Sequence, residues 1–194
     1  MSTRGNILFS GVGGQGILLA SEVTAYALLE AGLDAKKSEV HGMAQRGGSV
    51  VAHLRFGKKV YSPLIDPGTA DILVAFETME AVRYLPFLHK NSKVVVNTHK
   101  IAPPAVATGK APYPDDILGE LGKRDIATSL VDGFEIAKSV GEIRSANLAL
   151  VGALSSFLPI EEEVFLAVMT KRLPRSLEQN IEAFKAGRAI TSKA

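Results

Sequence analysis

Short apolar runs alternate with longer amphipathic stretches along most of the chain. Continuous apolar runs of strand length, typical of parallel strands buried on both faces, begin at residue 6 and lie at 70–76 and 92–98. Alternating or β-branched positions predict further strands at 34–42, 49–57 and 125–133. Residues 58–65, "KKVYSPLI", are predicted to return as a hairpin partner or an edge strand.

Helical periodicity follows most of the predicted strands. "ILLASEVTAYALLEAG" comes after the first strand, Pro86 bends or ends a helix in "ETMEAVRYLPFL", and Gly141 closes "EIAKSVG". From Ser145 onward the chain is predicted to be helical, with the spacing of a capping box at Ser176. This order predicts an α/β fold: a Rossmann-like, mostly parallel sheet with helices on both faces and a helical C-terminal portion.

Length and composition narrow the class of protein. The 194 residues suit one domain, 1–194, with 46% hydrophobic and 22% charged residues. A net charge of +2 with mixed signs predicts neither a nucleic-acid nor a membrane partner. There is no signal-like segment and no apolar run of about 18 residues, so we expect a cytoplasmic protein. The proline-rich segment 101–119 could wrap a neighbouring molecule.

The sequence gives little support for a metal site or for a nucleophilic active site. The chain has no cysteine, which excludes a disulfide, a thiolate nucleophile and a thiolate-held iron–sulfur cluster. The four histidines lack the spacing of a metal site, so no metal is expected. No serine–histidine–acid group can be assembled from sequence order, and the catalytic residues stay unknown.

The strongest chemical motif is the glycine cluster after the first strand. The motif "GVGGQG" contains Gly11, Gly13, Gly14, Gln15 and Gly16. It has glycines at the first, third and sixth positions of a dinucleotide-binding fingerprint. Such a loop can bring the backbone and a helix N-terminus close to a phosphate. It can equally serve close strand-to-helix packing, and Gln15 can either bind a ligand or cap the loop.

The residues downstream of the glycine cluster support the fingerprint only in part. Glu39, 23 residues beyond Gly16, could hold the ribose of a bound nucleotide. The next segment, "HGMAQRGGS", has no helical period, whereas a dinucleotide-binding unit would continue into a second helix. We therefore expect Glu39 to pair with Arg46 or a lysine.

Two segments together are more distinctive than either alone. "FSGVGGQGILLASEV" and "KSEVHGMAQRGGSVVAHLRFG" resemble the gamma-type domain of the thiamine-diphosphate-dependent 2-oxoacid:ferredoxin oxidoreductases, and most closely the beta-subunit type of the indolepyruvate enzymes. The family pattern joins the GxGGQG loop to a second loop ending in Arg46, Gly47 and Gly48. The resemblance covers residues from about 6 to 185 and is strongest before residue 100.

The resemblance implies a small subunit that is inactive alone. A companion alpha subunit is expected to bind thiamine diphosphate and Mg²⁺, to carry the iron–sulfur clusters and to pass electrons to ferredoxin. The gamma-type domain would complete the cleft for coenzyme A and acyl transfer during oxidative decarboxylation of an aryl pyruvate. Gly11–Gly16 and Arg46 are expected to bind coenzyme A phosphates or to shape the cleft beside the thiamine, since arginine offers a fixed fork of donors.

Two other functions stay open on the sequence alone. A free-standing NAD(P)- or flavin-binding reductase would use the full glycine fingerprint and Glu39. A nucleotide-sensing regulatory module would use the same loop without turnover. Rossmann-like sheets host many functions, so the fold class does not separate them.

Overall fold

A computed structural model describes residues 3–41, 48–102, 106, 108–110, 112–113, 116–124 and 126–192. Within these residues six strands form one sheet in the order β2-β3-β1-β4-β5-β6. The strands are β1 Gly5–Val12, β2 Asp34–His41, β3 Ser49–Gly57, β4 Ala70–Ala75, β5 Leu88–Asn97 and β6 Ala127–Val131. The three apolar runs became β1, β4 and β5, as their patterns predict.

The sheet is mixed, with one reversed strand. β1, β4, β5 and β6 run parallel to one another, whereas β3 pairs antiparallel with both β1 and β2. Five of the six described strands therefore point the same way, which confirms the prediction of a mostly parallel sheet. The reversed β3 separates β2 from β1, and the sequence did not predict this separation.

Helices cover both faces of the sheet, as predicted. Those in the described part of the chain are α1 Ile17–Glu30, α2 Thr78–Arg83, α3 Ile117–Gly122, α4 Gly133–Ser139, α5 Ala146–Ser155, α6 Glu162–Arg172 and α7 Leu177–Thr191. The larger core joins α1, α5, α6 and α7 to one face, and contains Phe9, Phe76, Phe165 and Phe184. A smaller core on the other face includes Leu8, Leu73, Ala81 and Leu121, from the strands, α2 and α3.

The C-terminal helices α5 and α7 cross at unusually close range. A Cβ atom placed on Gly152 would collide with the carbonyl oxygen of Phe184, and one on Gly187 would collide with that of Ala149. The two backbones touch because neither crossing residue has a side chain. This contact holds the helical C-terminal portion together on one face of the sheet.

The predicted strand at 58–65 is wrong. These residues form a loop whose backbone groups are bound by side chains: Asp34 accepts from the Val60 N–H at 2.8 Å and His53 Nδ1 accepts from the Ile65 N–H at 3.1 Å. Val60 and Ile65 are buried, so these two apolar residues anchor a loop. A short segment with apolar residues cannot be distinguished from a strand by its sequence alone.

The capping box predicted at Ser176 is also wrong. Ser176 precedes α7 in the left-handed region, with φ 51°, and its side chain caps no backbone N–H of the helix. Its hydroxyl instead donates to Glu142 Oε2 at 2.9 Å. A tertiary partner thus replaces the local one that the spacing predicts.

Candidate functional site

The glycine cluster forms the turn between β1 and α1. Gly14 has φ 102° and Gly16 has φ 77°, a region that favours glycine. Gly11 lies near the end of β1, where a Cβ atom would come within 2.7 Å of the Phe76 Cβ. Three of the cluster's glycines are thus required by backbone geometry or close contact, whatever the loop binds.

Gln15 braces this turn against the end of β4. Its Oε1 accepts from the Val12 N–H at 2.7 Å and its Nε2 donates to the Phe76 carbonyl oxygen at 2.7 Å. Asn97, at the end of β5, donates to the same oxygen at 3.2 Å. Both ends of the Gln15 amide are engaged within the chain, which favours its role in holding the loop.

The two motifs singled out in the sequence meet in space. The Gly13 N–H donates to the Gly48 carbonyl oxygen at 3.0 Å, which joins the glycine cluster to the end of the Arg-Gly-Gly segment. Arg46 and Gly47 lie outside the described residues. Antiparallel pairing of β3 with β1 places Ser49 opposite Val12 and so produces this contact.

A buried carboxylate supports the start of β3. Glu80, 4% exposed on α2, accepts from Ser49 Oγ at 2.5 Å and from Arg83 Nε at 2.9 Å. Charge-assisted bonds of this kind are stronger than neutral ones. The residue directly after Gly48 is therefore fastened to α2.

A second buried carboxylate, Glu77, lies at the end of β4. It caps α2 by accepting from the Met79 and Glu80 N–H groups, and it accepts from the Tyr113 hydroxyl at 2.5 Å. Burial, and then the bond to Glu77, raise the pKa of Tyr113 to about 12. Tyr113 belongs to the proline-rich segment, so this part of the segment is fastened to its own chain.

A cleft of about 800 Å³ opens beside the glycine cluster. Its lining includes Gly14, Gln15, Gly16, Phe76 and Asn97. These residues come from the turn after β1 and from the carboxyl ends of β4 and β5. Ligands of open α/β sheets bind at this edge.

The wall opposite the glycine cluster is formed by the C-terminal helices. Asn147, in the first turn of α5 and 4% exposed, donates from Nδ2 to the Gly16 carbonyl oxygen at 3.3 Å. Its Oδ1 is buried and has no donor among the described residues. A buried polar atom without a partner is uncommon, and this one belongs to a side chain that lines the cleft.

Positive charge predominates around the cleft. Arg144, Arg172 and Arg175 line it, and Glu142 is the single carboxylate residue in the described lining. The N-terminal ends of α1, α5 and α7 also border it, through Gly16, Ala146 and Ser176, and helix N-termini carry partial positive charge. The site therefore favours an anionic ligand.

Glu142 organises the arginine side of the cleft. Its carboxylate accepts from the Arg144 N–H, the Ser176 hydroxyl and Arg144 Nε, and these bonds, the first above all, lower its pKa. Arg172 lies over the Tyr26 ring, 3.1 Å from its centroid. This side of the cleft is thus formed by two separated segments, 142–144 and 172–176, with Tyr26 packed against Arg172.

Two stacked aromatic rings line the same cleft. His99 and Phe134 stack with ring centroids 5.1 Å apart and an interplanar angle of 14°. Phe134 is 36% exposed. An exposed aromatic ring can stack on a planar ring of a ligand.

Glu39 is not placed to hold a ribose. It lies on β2, which β3 separates from β1, and it pairs with Lys37 at 2.5 Å. The prediction that Glu39 pairs with a lysine is confirmed. The dinucleotide-binding alternative consequently loses the acidic partner on which it depended.

Two of the histidines differ in their surroundings. His99 lines the cleft, whereas His53 is buried beside Ile65, and burial lowers its pKa. Among the described residues no group of three His, Cys, Asp or Glu side chains could hold a metal ion. Across those same ranges, each helix is too short or too polar to cross a bilayer.

The sequence did not single out Asn147, Asn97, Phe134 or the three cleft arginines. No local pattern marks them, because each belongs to an otherwise ordinary helix, turn or strand end. The polar Asn147 at the start of a strongly apolar helix, "SANLALVGALSSF", is the one signal that could have been noticed.

Comparison with known proteins relates most of the chain to one protein family. The family model for pyruvate ferredoxin/flavodoxin oxidoreductase matches residues 6–190. An Archaeoglobus fulgidus protein named indolepyruvate oxidoreductase subunit IorB is 43% identical over 189 residues, covering 95% of this chain and 94% of its own length.

Two solved structures share the fold. The gamma subunit of a keto/oxoacid ferredoxin oxidoreductase from Geobacter sulfurreducens aligns with a TM-score of 0.72 at 23% identity, over 97% of this chain and 99% of its own. The 2-oxoglutarate:ferredoxin oxidoreductase of Magnetococcus marinus, with 2-oxoglutarate, coenzyme A and succinyl-CoA bound, aligns with a TM-score of 0.78 at 22% identity. That alignment covers all of this chain and 32% of the longer one.

Proposed function

Because the chain belongs to the pyruvate ferredoxin/flavodoxin oxidoreductase family, we propose that this small subunit of a 2-oxoacid:ferredoxin oxidoreductase is the beta subunit of the indolepyruvate type. Identity of 37–43% to four IorB proteins supports the indolepyruvate assignment. The complex would oxidatively decarboxylate indolepyruvate or another aryl pyruvate, transfer the acyl group to coenzyme A and reduce ferredoxin.

The redox work of this complex belongs to a companion alpha subunit. The chain has no cysteine for an iron–sulfur cluster, and we assign the clusters, thiamine diphosphate and Mg²⁺ to the companion. When bound to the companion, these cofactors would supply the decarboxylation and electron-transfer chemistry. We expect the isolated beta subunit to be inactive.

The contribution of this chain is to bind and orient coenzyme A in the cleft. The hydrogen bond between Gly13 and Gly48 carries this part of the proposal, because it brings the two motifs to one end of an electropositive cleft. Site residues are proposed to be Gly11, Gly13, Gly14, Gln15, Gly16, Arg46, Gly47 and Gly48. The diphosphate of coenzyme A would lie against the glycine turn and the N-terminal end of α1, with Arg46 as a further donor.

Binding in this way has a catalytic consequence. A coenzyme A held at its phosphates presents its thiol to the reacting carbon in a defined direction. A bimolecular step thereby becomes an effectively unimolecular one. The glycine turn suits that purpose because Gln15 fastens it to the Phe76 carbonyl oxygen at the end of β4. We further propose that residues 1–194 form one domain and that the complex is cytoplasmic.

Reconstitution tests the proposal directly. The chain is purified alone and together with the companion alpha subunit, and anaerobic reduction of a dye acceptor is followed with indolepyruvate, coenzyme A, thiamine diphosphate and Mg²⁺. Activity is expected only when both chains are present. Other 2-oxoacids, including pyruvate and 2-oxoglutarate, are compared to test the assignment to aryl pyruvates.

Arg46→Ala tests the site within the active complex. We expect a raised KM for coenzyme A, with Arg46→Lys intermediate because lysine keeps the charge and loses the fork. Arg124→Ala, an exposed change beyond α3 on the opposite face, serves as the control and should leave the KM unchanged. Absence of association and of activity in the wild-type pair would refute the subunit assignment.

A further inference from the structure

The arginine side of the cleft is separate from the glycine turn in sequence and in chemistry. The turn offers backbone N–H groups and a helix N-terminus, whereas Arg144, Arg172 and Arg175 offer guanidinium groups. Neither Arg172 nor Arg175 has a carboxylate of the described residues within ion-pair distance. Two arginines lining one cleft are thus left without an internal counterion in that part of the chain.

The contacts on this side of the cleft leave the charges of Arg172 and Arg175 available to a ligand, whereas Arg144 shares its charge with Glu142. Arg172 rests on the Tyr26 ring, and Arg144 is held by Glu142, whose other oxygen accepts from Ser176. The Arg175 carbonyl oxygen accepts from Asn180 Nδ2 at 3.1 Å, which anchors the backbone beneath that side chain. Ser176 adopts the left-handed region, with φ 51°, in this short connection.

Coenzyme A contains two kinds of phosphate group, which are best bound by different hydrogen-bond donors. Its diphosphate links the two halves of the molecule, and its 3′-phosphate is a terminal monoester. A monoester carries about −1.5 to −2 charges at pH 7 and presents three acceptor oxygens, so it is best satisfied by several charged donors. Arginine provides such donors in bidentate geometry, whereas a glycine turn provides weaker, uncharged ones.

From this difference we infer that Arg144, Arg172 and Arg175 form a subsite for a phosphate monoester, the 3′-phosphate of coenzyme A. The inference rests on the proposed function and extends it to residues that neither motif contains. The stacked rings of His99 and Phe134 lie in the same cleft and can receive the attached adenine. Asn147 lines the same cleft and contacts Gly16, and its buried Oδ1 has no donor among the described residues.

The test compares coenzyme A with 3′-dephospho-coenzyme A in the reconstituted two-chain enzyme. Arg144→Gln, Arg175→Gln and the double variant are measured for kcat and for the KM of each compound. We expect each single change to raise the KM for coenzyme A about 10-fold or more, as for loss of a charged hydrogen bond, with kcat at saturation preserved. The KM for the dephospho compound should stay within about 2-fold of the wild-type value.

Direct titration of both compounds into the complex gives a second readout that does not depend on turnover. Equal loss of affinity for both compounds would overturn the inference, because the arginines would then act on another part of the ligand. Unchanged affinity for coenzyme A, or failure of the variants to associate with the alpha subunit, would also overturn it. Inactivity of the wild-type pair would instead count against the proposed function.

Discussion

Asn147 Nδ2 donates a hydrogen bond to the Gly16 carbonyl oxygen at 3.3 Å, across 131 positions of sequence. This contact ties the start of α5 to the end of the glycine cluster. A Cβ atom on Gly16 would collide with the Asn147 amide. The glycine cluster is therefore shaped by its fit to the C-terminal helices as well as by any ligand.

Gly16→Ala should destabilise the protein by more than backbone strain alone. The left-handed φ of 77° costs an alanine about 1–2 kcal/mol, and displacement of Asn147 adds to this. Urea unfolding measures the total. Gly32→Ala is the matched control, since Gly32 has φ 81° and open space around its Cβ position. Equal losses in the two variants would show that the Asn147 contact contributes nothing.

Gly152→Ala and Gly187→Ala should each destabilise by about 3 kcal/mol or more, because the added methyl group forces α5 and α7 apart. Thermal unfolding should show a large fall in Tm. Gly122→Ala, at the end of α3 with open space at its Cβ position, should be nearly neutral or slightly stabilising. A Tm for Gly152→Ala close to wild type would contradict the close helix crossing.

Ser49→Ala should weaken both stability and coenzyme A binding. The change removes a donor from the buried Glu80 carboxylate, which costs about 1–3 kcal/mol, and it releases the residue beside Gly48. In the reconstituted enzyme we expect a higher KM for coenzyme A. Ser192→Ala, an exposed hydroxyl at the far end of α7, provides the comparison. A stability loss with an unaltered KM would limit the Ser49–Glu80 bond to a structural role.

His53 should make stability fall in mild acid. Its pKa is lowered by burial below the ordinary 6.5, so the unfolded chain binds the proton more readily than the folded one. The contribution of His53 is therefore complete above about pH 6.5 and is lost as the pH falls from there toward the folded pKa. Between pH 7.5 and pH 5.5 the free energy of unfolding should fall more for the wild type than for His53→Gln. Parallel pH dependences would refute this.

Much of the fold could be predicted from local patterns. The apolar runs became β1, β4 and β5, and the helical spacing after Gly16 became α1. The loop at 58–65 could not be predicted, because its backbone is satisfied by Asp34 and His53, side chains that only the folded chain brings near. The capping box failed at Ser176 for a similar reason, since Glu142 takes the hydroxyl.

The functional site, like the fold, depends partly on local sequence and partly on tertiary structure. By itself the sequence determined the order of strands and helices, the glycine cluster and the resemblance carried by its two motifs, since these depend on neighbouring residues. The tertiary structure alone decided that β3 lies between β1 and β2, which joins Gly13 to Gly48 and removes Glu39 from the cleft. It also decided that Asn147 and three arginines line the same cleft as the glycine turn, because strand pairing and helix packing bring together residues that are distant along the chain.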